Sequence, residues 1–68
     1  MCRSIKRLRE GKEVAGDEEI RAAALQFVRK VTGFQKPSAK HEPAFGQAID
    51  EISHSVEHLL AHVVTELR

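Results

Sequence analysis

The sequence is poor in the residues that crosslink small secreted domains or stack on ligands. Cys2 is the single cysteine in 68 residues, which excludes an intrachain disulfide and is more typical of a reducing compartment than of secretion. Tryptophan and tyrosine are absent and only three phenylalanines occur. No apolar run approaches the roughly 20 residues of a membrane span, and none follows the basic N-terminus as in a signal peptide. We expect a soluble cytoplasmic protein.

The length allows one small helical domain, residues 1–68. A chain of this size buries only about 60% of the surface that its unfolded state exposes, so its stability margin is small. Small folds usually gain stability from disulfides, a metal or a partner subunit. Because a disulfide within the chain is excluded, a metal or a partner subunit is left as the source of that added stability.

Charge is distributed unevenly along the chain. Residues 1–40 hold ten Lys/Arg and five Asp/Glu, a net charge of +5, whereas residues 41–68 hold one base and five acids, a net charge of −4. This polarity is consistent with a nucleic-acid or acidic partner. We favour the simpler interpretation, in which two antiparallel segments face each other with rims of complementary charge.

The first predicted helix covers residues 17–32. Three acids open it and two bases close it, as the helix dipole favours, and Gly33 suits the left-handed residue that ends a helix, with Phe34 placed for a Schellman contact. Apolar residues recur with helical spacing and predict a core-facing stripe of Ile20, Ala23, Ala24, Phe27, Val28 and Val31.

A second, longer helix is predicted from about residue 42 to residue 66. Pro43 is acceptable only in a first turn, which fixes the start, and His41 is placed as its cap although histidine is not a favoured capping residue. Its apolar stripe consists of Phe45, Ile49, Ile52, Val56, Leu59, Leu60, Val63 and Leu67. The fold prediction is all-α: a hairpin of these two helices, preceded by a basic N-terminal arm or short helical turn and a glycine-containing connector at residues 10–16.

Three histidines, His54, His58 and His62, follow one another at intervals of four in the second helix. This spacing places them on one flank with Glu51, opposite the apolar stripe. Such a series can chelate Zn, Ni or Cu, but an exposed flank lacks the shelter of a dedicated site. We therefore assign no metal and keep these four residues as weak candidates. If the flank were a dimer contact, assembly would depend on pH.

Cys2 lies beside Arg3, with Lys6 and Arg7 about a turn away. Positive neighbours raise the thiolate fraction of a cysteine, so Cys2 is a candidate reactive thiol or metal ligand. The alternative is a small apolar side chain tucked under the first helix.

Basic residues fall into two groups that would bind phosphates if the fold brought them together. Against nucleic-acid binding, there is no stacking platform, and the loop is longer than a helix-turn-helix turn. The candidate patch consists of Arg3, Lys6, Arg7, Arg9, Arg29, Lys30, Lys36 and Lys40.

Catalysis has no support in the sequence. We find no glycine-rich phosphate loop and no nucleophile motif with histidine and aspartate partners. A chain this short also has difficulty enclosing a substrate pocket of about 300–1,000 Å³. The prediction is a protein that is not an enzyme and has no cofactor and no small-molecule substrate.

Several segments resemble a family of short bacterial proteins that is known as a domain of unknown function. They are the opening MCRSI, the helix EEIRAAALQFVRKVTGF, the KPS loop and the AF..AIDEI start of the last helix, in that order over residues 1–60 or so. Members open Met-Cys-Arg-(Asn/Ser)-Ile and carry an AAxQ(F/Y)VRKV(T/S)GF helix. The resemblance implies a small, mostly helical bacterial protein and supplies no activity. His41, where the family pattern has asparagine, and the histidine series lie outside that pattern.

Taken together, these features predict an interaction or assembly module that self-associates, with a dimer as the first expectation. The second helix is longer than the first, so part of its stripe is left uncovered by the first helix. Either the N-terminal arm, through Ile5 and Leu8, or another copy of the chain could cover it. The expected contact residues are Val56, Leu59, Leu60 and Val63. A nucleic-acid binder and a thiol or metal protein centred on Cys2 remain the alternatives.

Overall fold

The computed structural model describes residues 6–67 and contains two short strands and two long helices. Strand β1 (Arg9–Glu10) pairs with β2 (Glu13–Val14), and helices α1 (Asp17–Thr32) and α2 (Glu42–Glu66) follow. The two helices pack against each other as an antiparallel hairpin, and their predicted bounds are confirmed. The all-α prediction is wrong in one respect, because a two-stranded antiparallel sheet precedes the helices.

The β-hairpin replaces the connector predicted at residues 10–16. Its register pairs Arg9 with Val14 and Glu10 with Glu13. Gly11 has a φ of +61°, whereas Lys12 has a negative φ. A positive φ at the first loop residue alone is typical of the type II′ turn that closes two-residue hairpin loops. The amide of Ala15 also donates to the carbonyl of Leu8 at 2.8 Å. Residues 6–8 are therefore an arm leading into β1 and not a helical turn.

Glycine ends α1 as predicted. Gly33 has a φ of +79°, and its amide donates to the carbonyl of Arg29 at 2.7 Å. The amide of Phe34 donates to the hydroxyl of Thr32 at 3.0 Å instead of to a helix carbonyl. The cap is consequently the simpler left-handed motif with one backbone bond, and the Schellman prediction is wrong.

The start of α2 is set by its loop and by Pro43 in the first turn. The carbonyl of Ser38 accepts hydrogen bonds from the amides of His41 and Glu42, at 2.9 and 3.1 Å. The His41 side chain makes no capping hydrogen bond within residues 6–67. Its ring instead stacks on Phe34, with centroids 5.7 Å apart.

The core lies along one row of side chains on each helix. On α1 the row is Ile20, Ala24 and Val28, all buried; on α2 it runs through Phe45 and Ser53, both buried. Each row has a spacing of four, the ridge that commonly packs between helices. The predicted stripe of α1 is therefore only half right, because Ala23, Phe27 and Val31 are exposed.

The described residues form a flat body with extents of 46 × 26 × 16 Å, in which the two helices lie side by side. On each helix, the residues one position after the core row lie on one side of it. Because the helices are antiparallel, that side is the same broad face for both, and an ion pair from Arg21 to Asp50 at 2.7 Å joins them there. Residues one position before the core rows share the opposite broad face.

Candidate functional site

The broad face opposite the Arg21–Asp50 pair is apolar on both helices. On α1, Phe27 and Val31 are 54% and 66% exposed, and on α2 Leu59 is 59% exposed. We call this surface the apolar face. It consists of Ala23, Phe27 and Val31 from α1, and Ile52, Val56, Leu59, Leu60 and Val63 from α2.

The four contact residues predicted from the sequence all lie on the apolar face. Leu59 is exposed, whereas Val56, Leu60 and Val63 are partly covered. The apolar face is exposed because each helix carries an apolar stripe that is wider than the strip of surface in contact with the other helix. Each helix uses only one row of spacing four, so the neighbouring apolar row faces outward.

Sequence reasoning missed the contribution of α1 to this surface. Phe27 and Val31 were assigned to the core because they continue the periodic stripe of the helix. The sequence feature that distinguishes these exposed residues from the core is that the apolar stripe of α1 consists of two rows. Ile20, Ala24 and Val28 form one row, and Ala23, Phe27 and Val31 form the other; only one row can face a single partner helix.

A recess marks the end of the apolar face nearest the interhelical loop. It has a volume of about 170 Å³. Ala44 and Ala48, one position before the core row of α2, place it at the edge of the apolar face. Its lining is almost entirely apolar or aromatic: Val28, Thr32, Phe34, His41, Ala44, Phe45 and Ala48.

A second cleft, of about 400 Å³, lies at the other end of the hairpin. Val14 of the β-hairpin, Ile20 of α1 and Val64 of α2 form its apolar walls. Asp17 and Glu57 add two carboxylates at its rim. This end of the helical hairpin is therefore acidic as well as partly apolar.

Of the three histidines, His54 follows the buried Ser53 and lies towards the opposite broad face. His58 lies on the outer edge of α2, and His62, three positions after Leu59, borders the apolar face. His54, His58 and His62 are all exposed, as the sequence predicted, and the rings of the first two have centroids 4.3 Å apart. Glu51 is on their flank but accepts a hydrogen bond from Gln47 at 3.0 Å. Within residues 6–67, no three metal-ligating side chains converge.

Cys2, the candidate thiol, lies outside the described residues, as does Arg3. The structure therefore places neither of them.

The remaining basic candidates form two separate groups. Lys6, Arg7 and Arg9 belong to the arm and β-hairpin at the start of α1, and the others surround its end. Since α1 has 16 residues, the two groups are about 24 Å apart. The candidate nucleic-acid patch is thus not one continuous surface in the described part of the chain.

Several of these bases already have partners. Lys6 pairs with Glu19 at 3.6 Å, and Arg7 pairs with Glu10 at 3.5 Å. Arg9 donates to the carbonyl of Gly11 at 2.7 Å, and Arg29 to that of Gln35 at 3.0 Å. These contacts orient the basic groups locally and leave Lys30, Lys36 and Lys40 around the loop.

Fold and surface together define a small helical-hairpin protein with a β-hairpin at its start and one apolar broad face. Neither α1 nor α2, the helices of the described residues, has the length and apolarity to cross a membrane. Residues 1–67 match the family model described as "Uncharacterized conserved protein (DUF2277)", and the chain belongs to that family. No curated protein and no solved structure matches it.

Proposed function

We propose that this protein is a non-catalytic assembly module that self-associates through the apolar face. The observation that carries the proposal is the exposure of Phe27, Val31 and Leu59 together on one surface, each more than half exposed. Burying such side chains contributes on the order of 25 cal/mol per Å² of apolar area removed from water.

A second copy of the chain suits this surface because of the architecture. Stable domains are built from at least two packed layers, and the described residues form a slab only 16 Å thick. Two hairpins facing each other would give a four-helix arrangement in which the apolar rows become a core.

The available area also suits a dimer. A standard protein–protein interface buries about 800 Å² per partner, which fits within a broad face of 46 × 26 Å. A surface that meets its own copy about a two-fold axis is used on both subunits, so the assembly closes at two.

Two neighbouring substitutions on α2 test the proposal. Leu59→Glu places a charge on the apolar face, and His58→Glu places the same charge on the outer edge of α2, about 100° further around the helix. We expect Leu59→Glu to convert the dimer to a monomer in light scattering, because an unpaired charge is costly to bury. His58→Glu should leave the dimer intact.

Circular dichroism on both variants separates lost assembly from lost folding. Equal masses for the two variants, with helical spectra retained, would contradict the proposed surface.

A further inference from the structure

We propose that the two copies pack in opposite directions, so that the loop end of one covers the tail end of the other. This arrangement rests on the self-association proposed above and specifies its geometry. The loop end is the part of the hairpin at residues 28–48, and the tail end is residues 17–20 together with 57–67. The two-fold axis then runs across the helices and not along them.

Charge supports this orientation. Residues 28–48 contain Arg29, Lys30, Lys36 and Lys40 against one acid, Glu42. The tail end holds the acids Asp17, Glu18, Glu19, Glu57 and Glu66, of which Glu19 pairs with Lys6. Together with the adjoining β-hairpin, residues 6–20 and 57–67 hold seven acids and four bases, a net charge of −3. Packing in the same direction would place like charges together at each end, whereas opposite packing pairs a basic end with an acidic end twice.

Shape supports the same orientation. The loop end carries the recess of about 170 Å³ beside Ala44 and Ala48, while the tail end presents Leu59, more than half exposed. An apolar cavity of about 150 Å³ is large enough for benzene, so the recess has room for a leucine side chain. Opposite packing brings each Leu59 towards the recess of the other copy.

Intermolecular spin-label broadening tests the orientation. The label is attached to Gln35→Cys in a Cys2→Ser background, at an exposed loop position outside the apolar face. This chain, at natural isotopic abundance, is mixed with ¹⁵N-labelled wild-type chain and left to exchange subunits. Residues 45 and 63 of α2 are about 27 Å apart along the helix, so the two ends are readily distinguished.

The expected result is a selective loss of amide signal in the ¹⁵N chain over residues 59–66, reversed when the label is reduced. Loss over residues 33–48 instead, in a sample that is dimeric, overturns the opposite packing and leaves self-association standing. A monomeric mass with no intermolecular loss overturns both. The spin-labelled chain is first compared with the wild type by light scattering, so that an effect of the label on assembly is detected directly.

Discussion

At the centre of the hairpin, Ser53 is 3% exposed, and its hydroxyl has no hydrogen-bond partner among residues 6–67. Ser53 occupies the core row of α2. Ala24, in the core row of α1, is a second small buried side chain. A buried hydroxyl without a partner costs about 1–3 kcal/mol of desolvation free energy. The helix pattern alone did not indicate this, because serine is normally assigned to a polar face.

We therefore expect Ser53→Ala to stabilise the protein by about 1 kcal/mol, since it removes a desolvated hydroxyl at little cost in packing. Urea unfolding followed by circular dichroism at fixed protein concentration measures the change. Ser55→Ala, at an exposed position of the same helix, controls for helix propensity and should shift stability by less than about 0.5 kcal/mol. A lower free energy of unfolding for Ser53→Ala than for Ser55→Ala would contradict this reading of the core.

At the scale of elements, much of the fold could be predicted from the sequence because the helix boundaries are chemically explicit. Three acids open α1, Gly33 closes it and Pro43 fixes the first turn of α2. The β-hairpin was not predicted because its strands have two residues each, too few to show alternation. In the sequence, Gly11 indicates only a connector, whereas in the structure it supplies the turn between β1 and β2.

Replacing the glycine that ends α1 and the glycine inside α2 by alanine should change stability in opposite directions. Gly33 has a positive φ at the end of α1, whereas Gly46 lies inside α2. A methyl group built at Gly46 meets no atom within 4 Å apart from its chain neighbours and the adjoining helix backbone. We expect Gly33→Ala to destabilise the protein by about 1 kcal/mol through backbone strain. Gly46→Ala should stabilise it by about 0.5–1 kcal/mol, and thermal melts of both variants at one concentration test the pair.

Two destabilised variants would show that the backbone at Gly46 tolerates no side chain. Two stabilised variants would show that the left-handed cap does not limit α1.

For the whole molecule, the sequence predicted an uncovered apolar surface but attributed it to the greater length of α2. The structure shows a different cause: both helices carry apolar stripes wider than the single row that packs. Phe27 and Val31 of α1 therefore join Leu59 of α2 on one face. The apolar stripe of one helix does not show which of its rows will contact the other helix. The contribution of α1 to the apolar face could therefore not be predicted from the sequence.

The separation of the two broad faces leads to a prediction about pH. His54 and His58 lie away from the apolar face and His62 lies at its border, so protonating them places most of the added charge outside the proposed contact. We expect the assembly mass to be the same at pH 5.5 and pH 8 in sedimentation velocity, a range over which histidines generally titrate. Dissociation at pH 5.5 would indicate that the histidine-bearing face takes part in the assembly.

The mass of the unmodified, untagged chain tests the central claim most directly. Sedimentation equilibrium over a wide concentration range should give twice the chain mass of 7.6 kDa, with dissociation only on dilution, because a single layer of helices leaves Phe27, Val31 and Leu59 in water. A mass of 7.6 kDa at every concentration, with the helical spectrum retained, would contradict the account.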